Sequence, residues 1–261
     1  MTDAFSLSGK RAVVTGGTRG IGAAVARLLA RAGADVCVGY RSRHAEAAAM
    51  RDELTALGVT GASLAADIGT AAGANALVDH AAKELGGLEI LVHSAGIWPP
   101  DDAPVIRMTD EQWARTMREN LDATFFVTRA AAAVMVERRA QRQGGGRIVL
   151  VDSTAGQRGE ANHADYAASK GAMISFVKSV CVELAPHDIT VNAVAPGWVD
   201  TEMCEAPFAG GGKERIAKGI PVGRIATPDD IAFPIVALCF DGARHVTGEI
   251  VNVNGGAVLC G

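Results

Sequence analysis

The stretch from Arg11 to Gly22, RAVVTGGTRGIG, joins a short β-branched run to a glycine-rich turn. The run predicts a buried strand, and the Ala-, Leu- and Arg-rich segment that starts at Gly20 predicts a helix. Glycine lets the backbone turn sharply because it carries no Cβ atom that could clash. A strand, such a turn and a helix make up the first half of a βαβ unit, so the stretch predicts an α/β fold.

The alternation of strands and helices continues along the chain. Strand-like runs lie at residues 34–40, 63–67, 88–93, 147–152, 189–195 and 249–254, and helical patterns lie at 20–32, 45–57, 71–85, 109–142 and 165–185. The strand runs are short and continuously apolar, as expected for strands that are buried on both faces. We therefore expect one domain, residues 1–261, with a doubly wound, Rossmann-type parallel sheet of about seven strands and helices on both faces.

Residues 202–219 lack a clear periodic pattern and contain three consecutive glycines. A segment that follows the carboxyl end of a strand in this fold lies where substrates bind. We expect a mobile substrate-binding segment, and an inert surface loop is the alternative.

The composition limits the classes of function. Of the 261 residues, 49% are hydrophobic and the formal net charge is −4, which argues against a nucleic-acid binder. The N-terminal segment lacks the pattern of a signal peptide and no apolar run approaches the ~18 residues of a membrane span, so we expect a cytoplasmic protein. The five cysteines are scattered and form no CxxC pair, so we expect no disulfide framework and no metal site.

The glycines at 16, 20 and 22 have the spacing G-x-x-x-G-x-G and lie between the first strand and the first helix. A helix N-terminus offers free N–H groups and a partial positive charge to a phosphate. This context predicts the pyrophosphate site of a dinucleotide, although glycine-rich turns also occur for purely structural reasons.

The end of the second strand indicates which dinucleotide binds. An NAD site places an acidic residue there, whereas this chain has Gly39-Tyr40-Arg41-Ser42-Arg43. Arginine matches the geometry of a phosphate, so Arg41 and Arg19 favour the 2′-phosphate of NADP(H). Solvated surface arginines are the alternative.

Tyr166 and Lys170 lie four residues apart and therefore on one face of a helix, with Ser153 at the end of a strand. A free tyrosine has a pKa of about 10. A Lys ammonium about 4 Å away contributes about 4 kcal/mol and should lower the pKa of Tyr166 towards neutrality. The three residues predict a group that exchanges protons with a substrate oxygen.

The turn Thr15–Gly22 with Ser153, Tyr166 and Lys170 resembles the pattern of the short-chain dehydrogenase/reductase family. The resemblance covers nearly the whole chain and includes Asp67-Ile68, Ser94-Ala95-Gly96, Asn120 and Pro196 to Thr201.

The resemblance implies a division of roles. Tyr166 would donate a proton to the substrate carbonyl, and Ser153 would orient that oxygen. Lys170 would hold the nicotinamide ribose, and Asn120 would complete a proton relay through a helix kink and a water. Hydride would pass from the nicotinamide to the carbonyl carbon.

The same resemblance assigns the adenine to Asp67 and Ile68 and the nicotinamide amide to Val199 and Thr201. The full set expected to hold the cofactor is Gly16, Thr18, Arg19, Gly20, Ile21, Gly22, Tyr40, Arg41, Ser42, Asp67, Ile68, Ser94, Ala95, Gly96, Tyr166, Lys170, Pro196, Gly197, Val199 and Thr201.

Two departures from the family pattern bear on this chain. His93-Ser94 stands where the family shows Asn-Asn, and we expect a structural adjustment there. The C-terminal half is similar to the beta-ketoacyl-acyl-carrier-protein reductases, but these carry an arginine before the glutamate of the Tyr/Lys helix where this chain has Val182. Arg138, Arg139 and Arg142 could replace it in part, although exposed arginines at a helix end are usually only solvated.

These observations leave three functions open. The first is an NADPH-dependent reductase of 3-oxoacyl thioesters on acyl-carrier protein, and the second is a sugar, polyol or small secondary-alcohol dehydrogenase. The third, a non-catalytic NADP sensor, is disfavoured because the acid/base residues are all present. Trp98, His163, Trp198 and Met203 are the candidate pocket residues, and a surface position is the alternative for His163. The family resemblance also implies a homotetramer.

Overall fold

The computed structural model describes residues 5–140 and 145–260. Seven strands run through it: β1 Arg11–Thr15, β2 Asp35–Tyr40, β3 Gly61–Ala65, β4 Ile90–His93, β5 Gly146–Val151, β6 Ile189–Pro196 and β7 Ile250–Val253. The α-helices are α1 Gly20–Arg31, α2 His44–Ala56, α3 Ala71–Leu85, α4 Asp110–Thr116, α5 Ala123–Ala140, α6 Thr154–Arg158, α7 Ala164–Leu184, α8 Glu205–Phe208, α9 Gly212–Ala217 and α10 Pro228–Ala237.

The strands form one parallel sheet in the order β3-β2-β1-β4-β5-β6-β7. Thr15 at the end of β1 pairs in register with Gly39 of β2 and with His93 of β4. The strand order reverses between β1 and β4, and ligands bind in the crevice at such a switch point. The predicted doubly wound, Rossmann-type sheet is confirmed.

Two apolar layers cover the faces of the sheet. One layer includes Leu29 of α1 and Ile235 of α10. The other includes Leu77 of α3, Val127 of α5 and Met173 of α7. Burial on both faces explains why the strands read as unbroken apolar runs in the sequence.

Local signals account for several helix ends. The Thr70 side chain accepts a hydrogen bond from the Gly73 N–H at 3.1 Å and starts α3, and Gly86, with φ of +76°, ends it. Thr227 and Asp230 form a capping box at the start of α10. The sequence reading omitted both α10 and the short α6.

The long helix predicted at 109–142 is present as one helical run, but it is not α-helical throughout. It consists of α4, a π-helical segment at Met117–Asp122 and α5, and its predicted end, with Arg142, lies outside the described residues. The third strand begins and ends two residues earlier than predicted. Residues 202–219 are also not irregular, because a 3₁₀ turn at Glu202–Cys204 precedes α8 and α9.

No helix among the described residues is both long and apolar enough to cross a membrane.

Candidate active site

Two adjoining cavities open at the carboxyl ends of the strands. The smaller, of about 260 Å³, lies over the glycine turn, and the larger, of about 500 Å³, lies over the end of β5 and the start of α7. Ile21, Gly96 and Thr201 line both, so the two cavities are continuous.

The glycine turn forms the floor of the smaller cavity. Gly16 has φ of +65°, and a Cβ there would lie 3.1 Å from the backbone of Ala95. A Cβ on Gly22 would lie 2.3 Å from the carbonyl oxygen of Gly16, so Gly22 packs beneath the turn and does not line the cavity. The first turn of α1 has no acidic residue and its N-cap, Arg19, makes no side-chain cap. The N–H groups of α1 are therefore available to a phosphate, and the residues fit a dinucleotide.

Most of the predicted cofactor residues line these cavities. The smaller cavity is lined by Gly16, Thr18, Arg19, Gly20, Ile21, Tyr40, Arg41, Ser42, Asp67, Ile68, Ser94, Ala95, Gly96 and Thr201. The larger cavity is lined by Tyr166, Lys170, Pro196, Gly197 and Val199. The set is thus brought together around one continuous space, although its binding role stays a prediction.

Two glutamates that sequence reasoning missed also line the smaller cavity. Glu119 accepts a hydrogen bond from Arg41 at 2.6 Å. Glu202 pairs with Arg19, and with Arg43 at 2.7 Å. These carboxylates lie 78 or more residues from the arginines in sequence, so no spacing pattern could reveal them.

Ser153, Tyr166 and Lys170 converge on one wall of the larger cavity. Ser153 caps α6 by accepting a hydrogen bond from the Ala155 N–H at 3.1 Å, and it also hydrogen-bonds the Tyr166 side chain. The Lys170 ammonium lies 5.8 Å from the centre of the Tyr166 ring and donates to the Val151 carbonyl at 2.7 Å.

Asn120 lies in the π-helical segment, as the expected helix kink requires. Its Oδ1 accepts from the Ile97 N–H at 2.8 Å, and its Nδ2 donates to the Ile97 carbonyl at 3.0 Å and to the Ser169 hydroxyl at 3.1 Å. A Cβ on Gly96 would lie 3.1 Å from Asn120 Oδ1 and 3.9 Å from Lys170 Nζ, so glycine keeps the space between the two polar groups open.

The expected lowering of the Tyr166 pKa is wrong for this structure. Burial raises the pKa of Tyr166 above its usual value, and the hydrogen bond from Ser153 opposes this only in part. Burial also lowers the pKa of Lys170, which the neighbouring Asp152 carboxyl opposes. A neighbouring ammonium favours the phenolate, but removal from water disfavours the charged form of both groups and is the larger effect here.

The His93 side chain links the end of β4 to the end of β1 through a hydrogen bond with Thr15. The Thr15 hydroxyl accepts hydrogen bonds from the N–H groups of Ser94 and Ala95, each at 3.1 Å. Its own hydrogen is then free to be donated to His93 Nδ1, 2.8 Å away. Burial lowers the pKa of His93 to about 3, so the imidazole is neutral. This is the structural adjustment expected at the His93-Ser94 departure.

The pocket candidates fall into two groups. Trp98, Trp198 and Met203 line the larger cavity. His163 is 4% exposed and stacks on Trp98 with ring centres 4.6 Å apart, so it lies behind the lining and is not the surface histidine of the alternative reading.

The rim of the larger cavity carries charges that sequence reasoning missed. Arg158 at the end of α6 and Arg215 on α9 are exposed there, and neither makes an ion pair within the described chain. Glu160 accepts a hydrogen bond from Trp98 Nε1 at 3.3 Å. The larger cavity therefore carries two exposed cations among its lining residues.

Comparison with known proteins gives consistent matches. The model of a family described as "Enoyl-(Acyl carrier protein) reductase" matches residues 16–258. The chain is 38% identical to the 3-oxoacyl-[acyl-carrier-protein] reductase of Vibrio cholerae over 98% of its own length and all of the relative's. It is 36% identical to the Escherichia coli protein of the same description, with the same coverage.

Solved structures agree with the sequence comparison. A dehydrogenase/reductase from Sinorhizobium meliloti is 34% identical, with a TM-score of 0.88 and 98% of each chain covered. A short-chain dehydrogenase/reductase variant from Serratia marcescens is 32% identical, with a TM-score of 0.88 and coverage of 96% of this chain and 98% of that one.

Proposed function

The chain belongs to the short-chain dehydrogenase/reductase family, and we propose from this that it is an NADP(H)-dependent reductase of 3-oxoacyl thioesters carried on acyl-carrier protein. The observation that carries the proposal is the convergence of Ser153, Tyr166 and Lys170 on a cavity that is continuous with a glycine-turn phosphate site. An oxidoreductase needs such an acid/base group beside the reactive end of its cofactor.

The side chains of this site divide the work. Ser153 donates a hydrogen bond to the ketone oxygen and orients it towards Tyr166, and Tyr166 donates its proton to that oxygen as negative charge develops there. Lys170 stabilises the resulting phenolate, and its ammonium would hold the nicotinamide ribose. Asn120 would complete, through a water, the proton relay to Lys170. The bound nicotinamide would supply the hydride.

The preference for NADP(H) over NAD(H) rests on the arginines of the smaller cavity. Arg19, Arg41 and Arg43 all line it, and a guanidinium matches the 2′-phosphate in charge and shape. In this structure the arginines form ion pairs with Glu119 and Glu202, so the phosphate has to displace two carboxylates from them.

The thioester is supported by the names of the relatives and by the rim of the larger cavity. Arg158 and Arg215 suit the phosphate of a pantetheine arm, which would cross the rim on its way to Tyr166. The second candidate, a dehydrogenase of sugars, polyols or small secondary alcohols, is favoured by Val182. That side chain is 72% exposed on α7 and is apolar where the carrier-protein reductases have a cation.

A homotetramer and a cytoplasmic location remain predictions. Exposed apolar side chains on the two helices expected to face a second subunit, Phe125 on α5 and Val182 on α7, support the assembly.

The test is NADPH oxidation, with NADH alongside, against acetoacetyl thioesters on carrier protein and on coenzyme A, a ketose and a simple cyclic ketone. We expect the highest kcat/KM with the carrier-bound thioester and with NADPH. Turnover confined to the ketose or the cyclic ketone would move the chain to the second candidate.

Tyr166→Phe is the control, and it should lower turnover about 10²- to 10⁴-fold while NADPH still binds. If the wild-type protein binds NADPH tightly but oxidises it with none of these substrates, the non-catalytic NADP sensor would be favoured instead.

A further inference from the structure

We propose that Asp152 is a positioning residue for Lys170, in which a buried carboxylate supplies the counter-charge that keeps the Lys170 ammonium in place at the active site. The inference rests on the proposed function for its kinetic consequences, but not for the interaction itself.

Asp152 is held at a fixed place in the cavity wall. It lies between the end of β5 and Ser153, and its N–H donates to the Val194 carbonyl of β6 at 2.7 Å. The residue is 3% exposed and its side chain lines the larger cavity. Neither carboxylate oxygen has a hydrogen-bond partner of good geometry among the described residues. A buried carboxylate in that condition is unfavourable unless an opposite charge lies close by.

Lys170 has the complementary requirement. It is 5% exposed, and the hydrogen bond it makes is to the Val151 carbonyl, which carries no formal charge. Burial lowers the pKa of Lys170, and Asp152 is the carboxyl that raises it again. Burial raises the pKa of Asp152 to about 7, and Lys170, together with the Ser153 N–H, lowers it. The two side chains form no direct ion pair. Lys170 donates instead to the carbonyl of Val151, the residue directly before Asp152, and both side chains line the same cavity, so each favours the charged form of the other through the buried space between them.

The other groups around the pair do not replace this interaction. Tyr166 faces Asp152 from α7, and Asp152 raises the pKa of Tyr166. The contact from β6 is a backbone carbonyl, and His93, which faces Lys170 from β4, is neutral because burial lowers its pKa to about 3. Lys170 is thus left with Asp152 as the counter-charge among the described residues.

The pair predicts a pH-dependent effect of substitution. Above about pH 7 the Asp152 carboxylate is ionised and raises the pKa of Lys170, so Lys170 stays protonated. Asp152→Asn removes the charge, so Lys170 loses its proton at a lower pH than in the wild-type protein. Below about pH 6 the wild-type carboxyl is largely protonated itself and the substitution should change little.

The first experiment measures the dissociation constant of NADPH by fluorescence between pH 5.5 and pH 9 for wild type, Asp152→Asn and Asp152→Glu. We expect equal affinities at pH 5.5, a loss of about fivefold or more for Asp152→Asn above pH 8, and partial recovery in Asp152→Glu. In Asp152→Asn, the fall of kcat at high pH should also begin at a lower pH than in the wild-type protein. Asp188→Asn is the control, because it removes an exposed carboxylate at a position with φ of 59°, which asparagine adopts readily.

The second experiment does not depend on catalysis or on the cofactor. Urea-unfolding midpoints of Asp152→Asn, Lys170→Met and the double variant form a cycle. We expect the effects of the two substitutions on the unfolding midpoint to be non-additive at pH 8.5 and additive at pH 5.5. Additive effects at both values, or an NADPH affinity of Asp152→Asn that follows wild type throughout, would overturn the proposal. Should Asp152→Asn not fold, Asp152→Ser takes its place. A non-additive cycle in a protein without ketone turnover would refute the proposed function alone.

Discussion

At the scale of single residues, burial competes with charge throughout this site. Tyr166 and Lys170 lie close together, yet burial raises the pKa of Tyr166 and lowers that of Lys170, so it favours the neutral form of each. Asp152, next to Ser153, opposes this effect and raises the pKa of Lys170. Residue identity alone predicts which groups exchange protons, whereas their ionisation depends on how far each is removed from water.

Arg41 carries the first prediction at this scale. It lines the smaller cavity and pairs with Glu119 at 2.6 Å. Arg41→Ala should weaken NADPH binding by about tenfold to a hundredfold, since a hydrogen bond to a charged group contributes about 1.5–3 kcal/mol. The affinity for NADH should not fall, because Glu119 Oε2 can then accept hydrogen bonds from ribose hydroxyls while Oε1 stays paired with Arg118.

Calorimetric titration of both cofactors measures the two affinities. Arg31→Ala, at an exposed position at the end of α1, is the matched control and should alter neither. An equal loss of NADPH and NADH affinity in Arg41→Ala would contradict the role of Arg41 at the 2′-phosphate.

At the scale of elements, the turn between β1 and α1 is held in shape by close backbone packing. Gly22 lies against the carbonyl of Gly16, and Gly16 lies against Ala95 after β4. The Thr15 hydroxyl ties the end of β1 to the residues after β4. The turn and the β4 end therefore form one closely packed floor, which suits the proposed pyrophosphate site because binding would need no rearrangement there.

Gly22→Ala should disturb this floor. Its Cβ would lie 2.3 Å from the Gly16 oxygen, which is backbone and cannot move aside cheaply. We expect a loss of about 1–3 kcal/mol in the free energy of unfolding, as for other overpacked sites, and a weaker affinity for NADPH.

Urea unfolding and cofactor titration test this expectation. Gly242→Ala serves as the reference, because its Cβ would meet nothing within 4 Å and its φ is not positive. If the two variants are equally stable and bind NADPH alike, the turn tolerates the methyl group and the packing argument fails.

At the scale of the whole molecule, the segment 202–219 lines both cavities and is connected through aromatic contacts to the start of α7. Thr201 and Met203 line both cavities, and Phe208 of α8 packs on Trp198 with ring centres 5.9 Å apart. Trp198 in turn contacts Trp98, which stacks on His163 at the start of α7. This aromatic row and the pair between Glu202 and the arginines connect the segment to both ends of the site.

We therefore predict that binding of NADPH changes the dynamics of this segment. The 2′-phosphate should displace Glu202 from Arg19 and Arg43, while the nicotinamide end adds contacts near Thr201. Amide hydrogen exchange across residues 202–219 should be faster than in the central strands of the free protein and should change on addition of NADPH but less on addition of NADH. Exchange as slow as that of β4 and β5 in the free protein would show that the segment is not mobile.

Much of the fold and of the site could be predicted from the sequence. The six strand-like runs after β1 and the glycine turn carry local signals, because apolar periodicity and glycine content report directly on burial and backbone shape. The short helices within 202–219 carry weaker signals, since a helix of four to six residues spans too little chain for a period to appear. A kink at Asn120 was expected only through the family resemblance, and the π-helical form of Met117–Asp122 was not predicted.

The sequence by itself determined the parallel sheet and predicted the glycine turn and the candidate acid/base residues, because each depends on local chain preference and on short spacings. Only the tertiary structure decided that Glu119 and Glu202 occupy the arginines, that His163 lies behind Trp98, and that Asp152 is the counter-charge of Lys170. These contacts join groups from different elements, or depend on how deeply each group is buried. Crossover connections bring such groups together after any number of residues, so no spacing along the chain encodes them.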